Sequence, residues 1–343
     1  MRNWITGAVV FAGAYLVWIV LAGALPALVL LFTGVLLASG LRPLVRQLQG
    51  RMPFGAAVGA AFGALVVVVA IISFVLLAPL GAESERLLSA VPGYVTSLQA
   101  QLAALESVIR NDAMATQVAG MLSSSAGAAV TVIGSHLLGG PAFIATLIGN
   151  SVLIVLLAVG WALTADELRA FVLSLCGPAA KKDWEKAFGI IGVRLSAYVQ
   201  GIVLNGAVVG VATGAALGFL GTPYALLLAF VVAILQAIPM VGAVLSGPVV
   251  LLVVLAASGW TKMLVMLGIF AAIQLVDQNV LSPIIFGNRV QLSFLLIIFS
   301  TVVGGMLLGV AGAFLAVPAA AVVQVIVVEI IAPALRAGHH RKT

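Results

Sequence analysis

The chain reads as an all-α polytopic membrane protein: about six full spans plus two broken re-entrant hairpins, or alternatively ten spans, with a helical extramembrane insertion. Three observations predict this class. The 343 residues are 63% hydrophobic and 8% charged, with a mean hydropathy of +1.28, whereas a soluble chain carries about a quarter charged residues. The apolar runs are long and unbroken, not the alternating ten-residue segments of a β-barrel. Several runs reach or exceed the roughly 20 residues a helical span needs, and within hydrocarbon the helix satisfies its own backbone.

Taken in order, residues 1–80 form an N-terminal three-span unit. Spans are expected over about 4–22, 25–41 and 54–80. Arg2, an apolar stretch and Ala22-Gly23-Ala24 resemble a cleavable signal peptide, but the run continues through Pro26 to Leu41, which favours a transmembrane hairpin. Arg42, Arg46 and Arg51 carry positive charge with no negative between them, which places that loop in the cytoplasm. Residues 81–140 turn polar and acidic and suit an outer, periplasmic-side helical domain. Leu98, Leu102, Leu105 and Ile109 recur there at helical spacing, as a packing face or membrane-surface helix does. Residues 141–163 make span four. Residues 164–197 read as two amphipathic cytoplasmic helices with a turn at Gly177-Pro178. The tail 336–343 is basic and therefore cytoplasmic, as is the N-terminus.

Residues 198–335 form a core whose punctuation is informative. Segment 223–258 is too long for one ordinary span and breaks around Ile238-Pro239-Met240-Val241-Gly242. Segment 292–335 breaks around Gly304, Gly305, Gly309 and Gly312, with Pro318 beyond. The order span, broken hairpin, span, broken hairpin is that of an inverted repeat, and broken segments at matching places point to a substrate site. Gly206, Gly210, Gly214 and Gly218 lie four apart, as do Gly55, Gly59 and Gly63. Each set makes a smooth face suited first to close helix packing, and a sliding surface is the sharper alternative.

Between Leu195 and Val328 the charged residues are Lys262, Asp277 and Arg289. A carboxylate in such a stretch costs about 2.5–3.5 kcal/mol on insertion scales unless it faces protein or water. Gln274, Asp277, Gln278 and Leu281 fall on one helical stripe, with Asn279 on another face. Pro283 ends the helix and frees carbonyls that can bind a cation or hydroxyls. The competing reading is a helix end where Asp277 reaches headgroup water. Gln236, just before the first break, and Asn205, beside the glycine face, complete the candidate solute or ion site. Gln324 and Glu329 lie on the last helix, where Glu329 is close enough to the end to be solvated.

Other chemistries lack support. Cys176 is the single cysteine, and His136, His339 and His340 have no ligand spacing, so neither a metal nor a cofactor is expected. No phosphate loop, zinc motif or catalytic triad is recognisable, so no enzyme activity is expected. The net charge of +6 lies in short loops and termini, which fits a lipid bilayer as partner and not nucleic acid.

Four stretches carry a family resemblance: Leu217-Gly218-Phe219-Leu220-Gly221-Thr222-Pro223-Tyr224-Ala225-Leu226-Leu227-Leu228; Ile238 to Gly242; Gln278-Asn279-Val280-Leu281-Ser282-Pro283-Ile284-Ile285-Phe286-Gly287; and Gly304-Gly305, Gly309, Gly312 and Ala316-Val317-Pro318. Their order and spacing across about 190–335 resemble the AI-2E family, the autoinducer-2 exporter-like permeases of bacteria. The N-terminal half matches in layout. The family pattern often has a Glu near the position of Asp277, a departure that bears on ion coupling. The resemblance implies a homo-oligomer of the bacterial inner membrane exporting a small solute. Three functions are therefore expected alternatives: a secondary exporter of a small polar solute of the autoinducer-2 type, a monovalent cation (sodium or lithium)/proton antiporter, or an oligomeric envelope scaffold acting through 81–140.

Overall fold

The computed structural model describes residues 2–108, 140–238, 241–286 and 292–333. Six stretches among them are long and apolar enough to cross a membrane: Gly23–Gln49, Phe54–Leu87, Gly149–Ser174, Ala180–Phe219, Val241–Phe286 and Phe294–Ile331. On the second of these, Val66, Val67, Val68, Val69, Ile71 and Ile72 are all exposed. Consecutive residues point to every side of a helix, so this segment is apolar all round, as a lipid-facing helix must be.

The first departure from expectation is at the N-terminus. Residues Arg2–Gln49 form one helix, α1, with Pro26 inside it, and not the pair of spans expected over 4–22 and 25–41. Gly23 and Pro26 both lie inside this helix, and a proline can kink a helix without reversing it. The helix α2 spans Phe54–Val108 and carries the third span directly into the polar region. Of the leucine stripe expected there, Ile109 lies outside the described residues, as do His136, Arg289, Pro239 and the basic tail. α3 covers Gly140–Ser174, and α4 covers Pro178–Phe219. The amphipathic stretches expected over 164–197 are therefore the ends of two long helices. The chain turns through Leu175–Gly177, and Pro178 opens α4, where its missing N–H costs nothing.

The fold comprises two compact units. The first contains Met1–Phe62, Ile148–Gly192 and Val325–Thr343. Its core joins Ala38 and Val45 of α1, Ala57, Val58, Ala61 and Phe62 of α2, and Ala158 of α3. Gly34 lets α1 approach α3: a Cβ there would stand 2.9 Å from the Leu157 Cβ. Lys186 and Glu329 form an ion pair at 2.7 Å in this unit.

The second unit contains Gly63–Leu147 and Val193–Gln324. Here α5, Ala225–Leu235, has eleven residues and rises only ~16 Å, about half the ~30 Å hydrocarbon thickness. It runs antiparallel to α4, because Gly206 faces Ala233, Gly210 faces Ala233 and Ala229, and Gly214 faces Ala229. α6, Val241–Val276, is interrupted at Gly259 (φ 81°, ψ 178°). Gly247 lies against the Phe270 ring, and Val250 and Val254 share a core with Met266 and Phe270. Residues 247 and 270 would be ~35 Å apart on a straight helix, so the chain reverses at Gly259. The same core holds Leu228 and Val232 of α5, so α5 and the first arm of α6 form a hairpin. A π-helical turn, Asp277–Leu281, leads into α7, Ser282–Phe286.

α8, Phe294–Ile326, is interrupted at Gly309 (φ 62°, ψ −144°). Gly304 and Gly312 face each other backbone to backbone, and Ala316 lies over Gly304. Contact between residues eight apart requires reversal, so α8 is a second hairpin with its tip at Gly309. Pro318 lies within its second arm, and a π-helical turn, Val327–Ile331, follows.

Candidate functional site

The glycine face of α4 decides where the site lies. With no side chains at 206, 210 and 214, α5 settles directly on α4; a Cβ on Gly206 would stand 2.6 Å from the Ala233 carbonyl oxygen. The end of α5 is thereby fixed beside α4, and Gln236 follows one residue later. Gly242 then allows the chain to turn back, because any Cβ there would run into the Leu235 carbonyl.

Four polar side chains meet where this hairpin tip, α4 and the second arm of α6 converge. Asn205, Gln236, Gln274 and Asp277 are between 5% and 9% exposed. The Gln236 Nε2 donates to Gln274 Oε1 at 3.3 Å. The Ser282 hydroxyl donates to Asp277 Oδ1 at 3.4 Å, and the Asn205 amide also bonds to the Asp277 carboxylate. A carboxylate only accepts, so Asn205 must present its NH₂ to Asp277 and turn its oxygen away. Among the described residues that oxygen, Asn205 Oδ1, has no hydrogen-bond partner, and neither has Gln274 Nε2. Buried polar atoms are normally paired, so an unpaired acceptor and an unpaired donor in one cluster suit a bound polar guest. The partners of Asp277, Asn205 and Ser282, are neutral, which leaves its charge uncompensated by them.

The π turn re-sorts the expected stripe. The Ser282 N–H reaches back to the Asp277 carbonyl, five residues earlier instead of four. The cause is Pro283, whose ring cannot tolerate the carbonyl of Asn279 in an α-helical turn. Widening the turn swings Ser282 onto the Asp277 face. Gln278 and Asn279 are exposed instead of joining the cluster, and Asn279 Nδ2 bonds the Leu275 carbonyl at 2.8 Å. Gly309 makes the reversal of α8, and Gly312 and Gly304 close it.

Sequence reasoning passed over several residues. Ser282 was visible only as the neighbour of Pro283. Thr213 is fully buried on α4, and its hydroxyl has no partner among the described residues. Glu83 of α2 accepts the Leu227 N–H at 2.7 Å, placing a carboxylate at the positive end of α5. Beside it the hydroxyls of Tyr94 and Tyr224 bond at 3.0 Å; burial and this bond push Tyr94 up to about 12. Among the described residues no group of three or more His, Cys, Asp or Glu could hold a metal ion.

Comparison with known proteins places the chain among membrane transporters. The sequence model described as AI-2E family transporter matches residues 5–332. The chain is similar to "Putative transport protein MT0215" of Mycobacterium tuberculosis, 34% identical over 42% of this chain and 40% of that protein. It is similar to "Putative transport protein YrrI" of Bacillus subtilis, 30% identical over 43% of each chain. With these relatives it therefore shares less than half of their length. "AI-2 transport protein TqsA" of Escherichia coli is 27% identical over 88% of this chain and 84% of its own.

Proposed function

The chain belongs to the AI-2E family of transporters, and we propose that it is a secondary transporter exporting a small polar solute of the autoinducer-2 type across the bacterial inner membrane. One observation carries this reading: the buried cluster of Asn205, Gln236, Gln274 and Asp277, with one acceptor and one donor left unpaired among the described residues. Those atoms are complementary to a solute rich in hydroxyls. The name of the E. coli relative supports the solute class.

Hairpin geometry supplies the transport logic. α5 runs antiparallel to α4, so the first hairpin points its tip toward the N-terminal end of α4. Ile297 and Val317 of the second hairpin pack beside Tyr198 and Ile202, while Gln324 reaches Arg194. The second tip therefore points the opposite way. Opposed hairpins flanking a polar helix are the arrangement in which alternating access needs only gating around a fixed site. In this reading both hairpins enter and leave on one side, the termini are cytoplasmic, and the protein is a homo-oligomer.

The neutral partners of Asp277 favour a second reading, a sodium or lithium/proton antiporter in which the carboxylate carries the ion. Flux in proteoliposomes of wild type and Asp277→Asn, with furanone solutes, sodium, lithium and a pH dye, separates the two. The exporter reading requires downhill solute flux that survives Asp277→Asn. Proton-linked cation flux abolished by the same change, with no solute flux, would replace it with the antiporter.

A further inference from the structure

One face of α4 carries more than the cluster already described. Arg194, Gly201 and Asn205 lie seven and four residues apart, so they line one side of the helix. Arg194 Nη1 donates to Gln324 Oε1 at 2.8 Å, and both side chains are only partly buried. This pair stands eleven residues, ~16 Å, from Asn205 along the helix axis.

Gln324 is not an arbitrary partner. It sits three residues before the π turn Val327–Ile331, and Pro333 follows that turn as Pro283 follows Asp277–Leu281. Gln274 holds the same place before the first π turn. Gly259 and Gly309, the two reversal points, lie equally far before their glutamines. The two arms thus carry a glutamine at one register: Gln274 serves the buried cluster and Gln324 serves Arg194.

Between these two polar places the face is apolar. Tyr198, Ile202 and Val317 are buried together, with Phe286 and Phe314 against them. The Phe286 ring lies flush on Gly201, and a Cβ at 201 would collide with it. The Tyr198 hydroxyl donates to the Phe314 carbonyl at 3.1 Å, which ties the second arm of α8 to this layer. An apolar layer between two polar places is a barrier to a hydrated solute, and moving a ring out of it opens a path.

We propose that Arg194 and Gln324 form a second, outlying station for the same oxygen-rich solute, and that the Phe286 ring seated on Gly201 closes the path between this station and the Asp277 cluster. The guanidinium has donors beyond the one given to Gln324, and these take hydroxyl or anionic oxygens. This inference rests on the transport reading for the identity of the solute.

Thiol labelling tests it independently of flux. Cys176→Ser yields a cysteine-free chain, into which Gln274→Cys places a reporter in the buried cluster. Membrane-impermeant methanethiosulfonates, one anionic and one cationic, are applied to each side of proteoliposomes. With Phe286 present the reporter reacts slowly from the Arg194 side; Phe286→Ala raises that rate about tenfold, as expected when the open fraction rises. Phe286→Leu, which keeps most of the apolar volume, gives a smaller rise and serves should the alanine variant not fold. A rate that is the same with Phe, Leu and Ala overturns the gate. In a second arm, Gln324→Cys reacts faster with the anionic reagent, and Arg194→Gln removes that preference; an unchanged ratio overturns the station. Ring-dependent labelling in a protein that carries no furanone would refute the solute and leave the path standing.

Discussion

α2 and α4 each carry glycines at every fourth position, Gly55, Gly59 and Gly63 on the first and Gly206, Gly210 and Gly214 on the second. In the fold the two sets behave differently. Among the described residues nothing lies within 4 Å of where a Cβ would stand on Gly55, Gly59 or Gly63, whereas Gly206, Gly210 and Gly214 are filled by α5 and Gly218, the last of the α4 stripe, is open. The difference lies in the partner. α5 presents Ala225, Ala229 and Ala233, also four apart, so an alanine stripe meets the glycine stripe in antiparallel register. A glycine spacing specifies a smooth face; a matching stripe of small residues nearby specifies what closes on it.

Substitutions at the two stripes should separate most sharply. Gly206→Leu forces α5 off α4 and is expected to cost about 3 kcal/mol or more, while Gly59→Leu stays within about 0.5 kcal/mol. Thermal unfolding in detergent reads both, and equal losses would remove the distinction. Gly312→Leu should behave like Gly206→Leu, since its face is closed by Gly304.

Backbone conformation sharpens the comparison at the next level. Gly309 holds φ 62° at the tip of α8, so Gly309→Ala should cost about 1–2 kcal/mol although nothing crowds it. Gly59→Ala, inside a helix, should instead be neutral or stabilising by up to about 1 kcal/mol. A neutral Gly309→Ala in the same unfolding assay would show that the reversal does not depend on glycine.

At the entrance to α5, Tyr94→Phe removes the bond to Tyr224 and should cost about 1 kcal/mol. The pH dependence has a defined sign. Tyr94 is held up at about 12 in the fold against about 10 when unfolded. Its contribution is complete below pH 10 and is lost as the pH rises from about 10 to 12, because the unfolded chain releases the proton first. Unfolding midpoints of wild type and Tyr94→Phe across that window test this; parallel curves would sink it. The smallest effect is expected at Lys186→Gln. Its partner Glu329 is 22% exposed while Lys186 itself is 64% exposed, so solvent screens the pair and high salt should mask the change.

Much of the architecture is legible in the residues themselves. The turn at Gly177-Pro178, the break near Gly242 and the reversal at Gly309 follow from local backbone chemistry, which glycine and proline state directly. Asp277 and Gln274 sharing a buried face follows from three-residue spacing on a helix. Less is legible where one residue alters its neighbours. Pro283 widens the turn before it, and that turn brings Ser282 in and sends Gln278 out. Pro26 misleads in the other direction, since it suggests a hairpin where α1 continues.

Composition and charge by themselves determined that this is a helical membrane protein with one carboxylate deep in its C-terminal half. Hydropathy is summed residue by residue, so it needs no knowledge of contacts. Only the tertiary structure decided which groups meet that carboxylate. Asn205 lies 72 positions before Asp277 and Gln236 lies 41 before it, and no periodicity spans such distances. Their meeting depends on α5 closing on the α4 glycines and on the chain reversing at Gly259, and those events bring distant backbone together through packing.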